Sequence, residues 1–92
     1  MAESTIVILT DFGDKDYYVG ILKGVIRSIA PETEILDLCH GIPQGDIRAA
    51  GFALQASYRY FPARTIFLCV VEPGGGGPRR PIIVNTEQHL FV

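Results

Sequence analysis

Short unbroken apolar runs alternate along the chain with longer segments whose apolar residues recur every three or four positions. The first run, TIVILT over 5–10, is β-branched and has no polar interruption, which predicts a strand covered on both faces. It ends at DFGDKD, a polar turn holding Gly13 and the aspartates Asp11, Asp14 and Asp16. From 17 to 30, YYVGILKGVIRSIA sets Tyr18, Ile21, Leu22, Val25, Ile26 and Ile29 on one helical face. Asp16 is placed to cap that helix and Pro31 to stop it. EILDLCH over 34–40 predicts a second strand, and GIPQG a loop. Asp46 is placed to cap a second helix running to about Tyr60, with Ile47, Ala50, Leu54 and Tyr58 inward and Phe61-Pro62 ending it. TIFLCVV over 65–71 predicts a third strand, followed by a glycine-rich loop. PIIVNT (81–86) and HLFV (89–92) predict a further strand and the start of another across a tight turn.

Strand and helix in this alternation predict a Rossmann-like, doubly wound α/β fold with a mainly parallel sheet and right-handed crossovers. The sequence shows no internal repeat and no low-complexity tail. Its last residues, Leu90, Phe91 and Val92, are apolar, which predicts an unpaired hydrophobic sheet edge. The 92 residues are therefore expected to be the N-terminal portion of a larger domain.

Composition narrows the function classes. With 48% hydrophobic residues the chain is rich enough to build a core. A net charge of −2 with interspersed signs argues against a nucleic-acid binder, and no basic face invites a membrane surface. Cys39 and Cys69 sit in apolar stretches without CxxC spacing, so two reduced, buried thiols are expected. The N-terminus lacks the cationic and apolar regions of a signal peptide, and no apolar run is long enough to span a membrane. A cytoplasmic protein with a small-molecule ligand, and neither nucleic acid nor membrane as partner, is the expectation.

Doubly wound sheets bind ligands beyond the carboxyl ends of their strands. Three loops leave those ends, and together they carry Asp11, Asp14, Asp16, His40, Asp46, Glu72, Arg79 and Arg80. The glycine run at 74–77 is not a phosphate loop, because it lacks the lysine and hydroxyl and leads into a strand. DFG shares three letters with the metal-binding triplet of protein kinases, but the rest of that machinery is absent. The three aspartates lack the later ligands of an EF-hand, so no metal site is expected. From the residues alone, Asp11 is a ligand-binding acid or the Asx turn that ends a strand. Asp16 is a ligand or a helix cap, Tyr18 a core residue or a ligand contact. Asp46 reads as a cap and His40 as a strand-end residue with a satisfied ring.

The ordered segments TIVILTDFGDKDYYVGILKGVI, IPQGDIRAAGFAL, YRYFP and EPGGGGPRRPIIV resemble the S-adenosylmethionine hydroxide adenosyltransferases, or SAM hydrolases, relatives of the fluorinases and chlorinases. The resemblance implies an N-terminal α/β domain followed by a small β-barrel, which is absent from residues 1–92. It also implies a homotrimer with the ligand between subunits, so residues 1–92 alone are expected to be inactive. The implied reaction cleaves S-adenosylmethionine, as substrate and without any cofactor, into adenosine and methionine. On this resemblance Asp11 matches the acid that binds the ribose hydroxyls, and Asp16 matches a position near the methionine end, with Tyr18 beside it. Glu72 and Arg79 match the acid and arginine that hold the attacking water, together with a histidine that would lie beyond Val92.

Two departures from the family pattern stand out. Glu72 replaces an aspartate, and glycines replace a valine and a polar residue in the loop that follows. They keep a non-catalytic adenosyl-ligand binder in view, and the family resemblance adds an S-adenosylmethionine-dependent halogenase. The latter fits less well, because an arginine–carboxylate pair suits water better than a halide.

Overall fold

The computed structural model describes residues 4–73 and 82–92. In chain order they form β1 (Thr5–Thr10), α1 (Tyr18–Ile29), β2 (Glu34–Cys39), α2 (Ile47–Ser57), a 3-10 turn (Tyr58–Tyr60), β3 (Ile66–Val70), β4 (Val84–Asn85) and β5 (Leu90–Phe91). The strands make one sheet in the order β2-β1-β3-β5-β4. Strand β1 pairs in parallel with β2 and β3, and β3 with β5, while β4 runs antiparallel to β5. The expected α/β class and mainly parallel sheet are therefore present.

The all-apolar β1 takes the centre, where Val7, Ile8 and Leu9 are buried. From β1 the chain crosses to β2 and then returns past β1 to β3. Two right-handed crossovers in opposite directions put α1 and α2 on opposite faces. Alternation along β1 sends Ile8 and Thr10 to the α1 face and Val7 and Leu9 to the α2 face. Under α2, Leu9, Ile42 and Ala50 form a buried cluster bordered by Leu38, Cys39, Leu54 and Cys69. Cys39 and Cys69 both flank Leu9 in register, two strands apart, and are free, half-buried thiols. Burial pushes the Cys69 thiol up to about 11.

Helix α2 begins as its sequence predicts, with the Asp46 carboxylate accepting the Ala49 N–H at 3.0 Å. It meets the sheet through Ala49, Ala50, Ala53 and Leu54, while Ile47, expected inward, is 58% exposed. The last turn tightens to 3-10 geometry because Phe61, which precedes Pro62, must be extended (φ −107°, ψ 150°). Helix α1 differs more from expectation. Asp16 accepts the Tyr18 N–H at 3.1 Å, while Tyr17 takes the capping position itself. Val19, Leu22 and Ile26 are the half-buried line, and Tyr18, Ile21 and Val25 are more than half exposed. This rotation brings Lys23 over the sheet, where its Nζ reaches Asp37 at 2.8 Å.

The expected unpaired edge at Leu90–Val92 is corrected by the hairpin. Thr86 donates its N–H to the His89 carbonyl at 2.9 Å, which folds β4 back along β5. Strand β5 thus lies between β3 and β4, and Val92 exchanges backbone hydrogen bonds with Phe67 and Cys69 at 2.8 Å each. No helix among the described residues is long and apolar enough to cross a membrane.

Candidate functional site

The chain leaves β1 towards β2 on one side and reaches β3 on the other, so the crevice between β1 and β3 at their carboxyl ends is the topological switch point. Asp11 follows β1 there and Glu72 follows β3. The Asp11 N–H continues the pairing by donating to the Val70 carbonyl at 3.2 Å. Its carboxylate does more. Oδ2 accepts the N–H of Gly45 at 2.8 Å and the N–H of Glu72 at 3.3 Å. One oxygen therefore joins the loops that follow β1, β2 and β3. Oδ1 accepts nothing from the described residues.

Two glycines make this closure possible. Gly45 has φ +75° and Gly13 φ +78°, a region that side chains with a Cβ adopt at a cost. At Gly13 a Cβ would meet nothing within 4 Å, so the need there is conformational rather than steric. Its N–H donates to the His40 carbonyl at 2.8 Å, which ties the first loop to the second a second time.

Beside the clamp lies a row of polar side chains built by a bulge. In β2, Asp37 pairs with Ile8 but Cys39 pairs with Leu9, so Leu38 is the extra residue. Leu38 and Cys39 then both face α2, and His40 returns to the α1 face with Asp37. Without the bulge two residues three apart in a strand would point to opposite faces. With it, His40 Nε2 lies 2.7 Å from Asp37 Oδ1, and Nδ1 lies 2.8 Å from Thr10 Oγ1. Thr10 Oγ1 also accepts the Phe12 N–H at 3.1 Å. The Lys23 ammonium first, and His40 second, hold the Asp37 carboxyl below its ordinary range.

The sequence-predicted residues are placed as follows. Asp11 is at the centre of the loop junction and makes no Asx turn, since the Gly13 N–H goes to the His40 carbonyl and its own Oδ2 takes the distant Gly45 and Glu72 amides. Asp16 is exposed and holds Tyr18 N–H through Oδ1. The Tyr18 ring is not core. It stands edge-on to Phe12 at 6.1 Å and to Tyr17 at 5.3 Å, over the same loop. Glu72 is exposed at the crevice and contributes its N–H to Asp11. Arg79 lies outside the described residues, and with it the expected pair with Glu72. Thr10, Asp37 and Gly45 went unnoticed as site-building residues. The signal for Asp37 is a carboxylate within the otherwise apolar stretch ILDLC. Among the described residues no group of three His, Cys, Asp or Glu side chains gathers as a metal site.

Residues 6–92 match the family model of the SAM hydroxide adenosyltransferase N-terminal domain. The (R)-S-adenosyl-L-methionine hydrolase of Thermus thermophilus is 39% identical over 77 residues, covering 84% of this chain and 30% of its own length. That of Salinispora tropica is 36% identical over 83 residues, covering 90% and 31%. A fluorinase of Nocardia brasiliensis is 29% identical over 80 residues, covering 87% and 27%. The crystal structure of an uncharacterized conserved protein from Thermotoga maritima superposes with a TM-score of 0.87 at 39% identity, over 94% of this chain and 34% of that one. This chain thus spans under a third of the length of the curated relatives named here. With the superposition and the family match both running over nearly all of its length, the chain belongs to the SAM hydroxide adenosyltransferase N-terminal domain family.

Proposed function

We propose that the protein carrying this chain hydrolyses S-adenosylmethionine to adenosine and L-methionine. Residues 1–92 supply the first part of its α/β substrate-binding domain, a β-barrel domain follows, and the ligand sits between subunits of a homotrimer. What carries this reading is the match over residues 6–92 to a family whose named relatives at 35–39% identity are (R)-S-adenosyl-L-methionine hydrolases. The hydrolases span 28–39% identity and the fluorinases 27–29%, so the more similar relatives favour hydrolysis over halogenation.

The chemistry suits short polar loops around a dry crevice. Hydroxide, or water that gives up a proton to solvent as it adds, attacks the ribose 5′ carbon. As the new C–O bond forms, the C5′–S bond breaks, and its electron pair stays on sulfur as the neutral thioether of methionine. A neutral leaving group needs no general acid, so neither a metal nor a cofactor has a task in this step. The sulfonium and an anionic nucleophile attract each other more strongly where water is excluded. Placement therefore matters more than basicity.

Asp11 offers the ribose hydroxyls its Oδ1, since Oδ2 already holds the Gly45 and Glu72 amides. Two neighbouring hydroxyls then share one oxygen rather than spanning two. Asp16 faces the methionine amino group with the oxygen not used by Tyr18, and the exposed Tyr18 ring lines that approach. Glu72 and Arg79 orient the attacking water. The free thiols of Cys39 and Cys69 fit a reducing cytoplasm.

Incubating the full-length protein with S-adenosylmethionine in 18O-labelled water tests the reading. Adenosine labelled at the 5′ oxygen, with equimolar unlabelled methionine, is the expected result. A 5′-halogenated adenosine formed only with added fluoride or chloride would make the protein a halogenase. Binding without turnover would make it an adenosyl-ligand binder.

A further inference from the structure

We propose that His40 is a positioning residue for Asp11: held between Asp37 and Thr10, it fixes the Phe12–Gly13 backbone and so aims the Asp11 oxygen that the loops leave unused. The inference rests on the proposed function only in taking ribose as what that oxygen meets.

The hydrogen-bond directions follow from the partners. An ionised carboxylate only accepts, so His40 Nε2–H donates to Asp37 Oδ1. In the neutral ring Nδ1 then accepts, and it takes the Thr10 hydroxyl proton. The Thr10 oxygen keeps its lone pairs for the Phe12 N–H. One residue on, the Gly13 N–H goes to the His40 carbonyl. His40 thus grips the two residues after Asp11 by two routes, one through its side chain and one through its backbone. Lys23 on α1 completes the row at Asp37 Oδ2, which keeps that carboxylate charged and the ring oriented.

Two features point beyond mere satisfaction of a histidine. The bulge at Leu38 interrupts the β1–β2 ladder, and its consequence is to place His40 on the face of Thr10. Thr10 is fully buried, so its hydroxyl has no bulk water as an alternative, and against the neutral ring it donates to Nδ1. The row therefore transmits position from a rigid strand to the site loop.

Thr10→Val keeps the shape of the side chain and removes its hydroxyl, and Thr10→Ser restores the hydroxyl. His40→Gln is a second break, since its amide can satisfy Asp37 but cannot also span to Thr10. Amide exchange is measured by residue in the full-length protein, along with dissociation constants for adenosine and for methionine. In Thr10→Val and His40→Gln, exchange at Phe12 and Gly13 should rise about tenfold, with Ile8 and Leu68 within about twofold of wild type. Adenosine should bind about tenfold more weakly and methionine unchanged, and Thr10→Ser should recover both properties. Unchanged exchange at Phe12 and Gly13 overturns the proposal, whatever the ligands do. A uniform rise that includes Ile8 and Leu68 overturns it too, because the row would then hold the fold and not the loop. Loop amides that respond in a protein whose wild type binds no adenosine uphold the positioning of Asp11 and sink the hydrolase reading instead.

Discussion

The chain has two histidines, and they sit at opposite ends of the same sheet. His89, at the amino end, is buried edge-on against Tyr58 and Phe67, each with ring centroids 5.6 Å away. Its Nε2–H goes to the Phe61 carbonyl at 3.3 Å. Around it Phe67 stacks on Phe91 at 5.1 Å and meets Phe61 edge-on at 5.4 Å. His40, at the carboxyl end, touches Thr10 and Asp37 and joins a row of directional hydrogen bonds. At the amino end, aromatic burial pins the short β5 to β3 and is indifferent to small shifts. At the carboxyl end, the angles and lengths of a few polar contacts decide where a carboxylate points. The first end should govern stability and the second geometry.

The largest expected effect tests the amino end. Phe67 is 1% exposed and links Phe61, His89 and Phe91. Phe67→Ala should cost about 3–5 kcal/mol of stability in urea unfolding, the usual range for losing a buried phenyl ring. A loss under about 1 kcal/mol would place the anchor of the fold elsewhere and break the division between the ends. Next comes a change that should leave stability alone. If Glu72 orients the water, its extra methylene displaces the carboxylate by about 1 Å, and Glu72→Asp should raise kcat by up to about 100-fold with little change in substrate affinity. A fall in kcat would show instead that this site is built for the longer side chain.

The same division explains what the sequence made legible. Strands β1, β2 and β3 were readable because each is a short β-branched or apolar run whose burial is its own signal. The Asp46 cap was readable because capping is local, three residues from donor to acceptor. The face of α1 was not readable: YYVGILKGVIRSI has apolar residues over more than half its circumference, so periodicity does not pick the part that meets the sheet, and the part that does brings Lys23 to Asp37. Nor was the relay. A bulge leaves no mark in EILDLC, yet it alone turns His40 towards Asp37. The acids of the site were legible as residues at strand ends. Their partners, the amides of Gly45 and Glu72, lie 34 and 61 residues from Asp11 and became visible only once the strand order was known.

Asp11→Asn sharpens the carboxyl-end side of the comparison. The asparagine carbonyl can still accept from Gly45 and Glu72, so the loop junction should hold and thermal stability should change little. The other position would now carry an amide donor facing the ribose hydroxyls. Adenosine affinity should fall by about 1–3 kcal/mol, roughly 5- to 150-fold by calorimetry. Unfolding of the loops with the fold intact would assign Asp11 to the junction alone.

The smallest effect is electrostatic and separates the ends by pH. Lys23 first, and then His40, lower the Asp37 carboxyl from its ordinary 3.8. A carboxyl lower in the folded than in the unfolded chain adds stability that is full above the unfolded value and fades as pH falls through the folded one. The Asp37 side chain is 44% exposed, so water screens the pair and the contribution should stay below about 1 kcal/mol. Asp37→Asn should therefore be slightly less stable than wild type near neutral pH. The gap should close as the pH falls below 3.8 and on through the lowered folded value, where both side chains are neutral. The asparagine carbonyl can still receive His40 Nε2–H, so exchange at Phe12 should move less than in Thr10→Val. A stability gap that persists in acid would mean that shape rather than charge secures Asp37. The carboxyl end would then be held as His89 is, by packing, and the contrast between the two histidines would fail at its polar side.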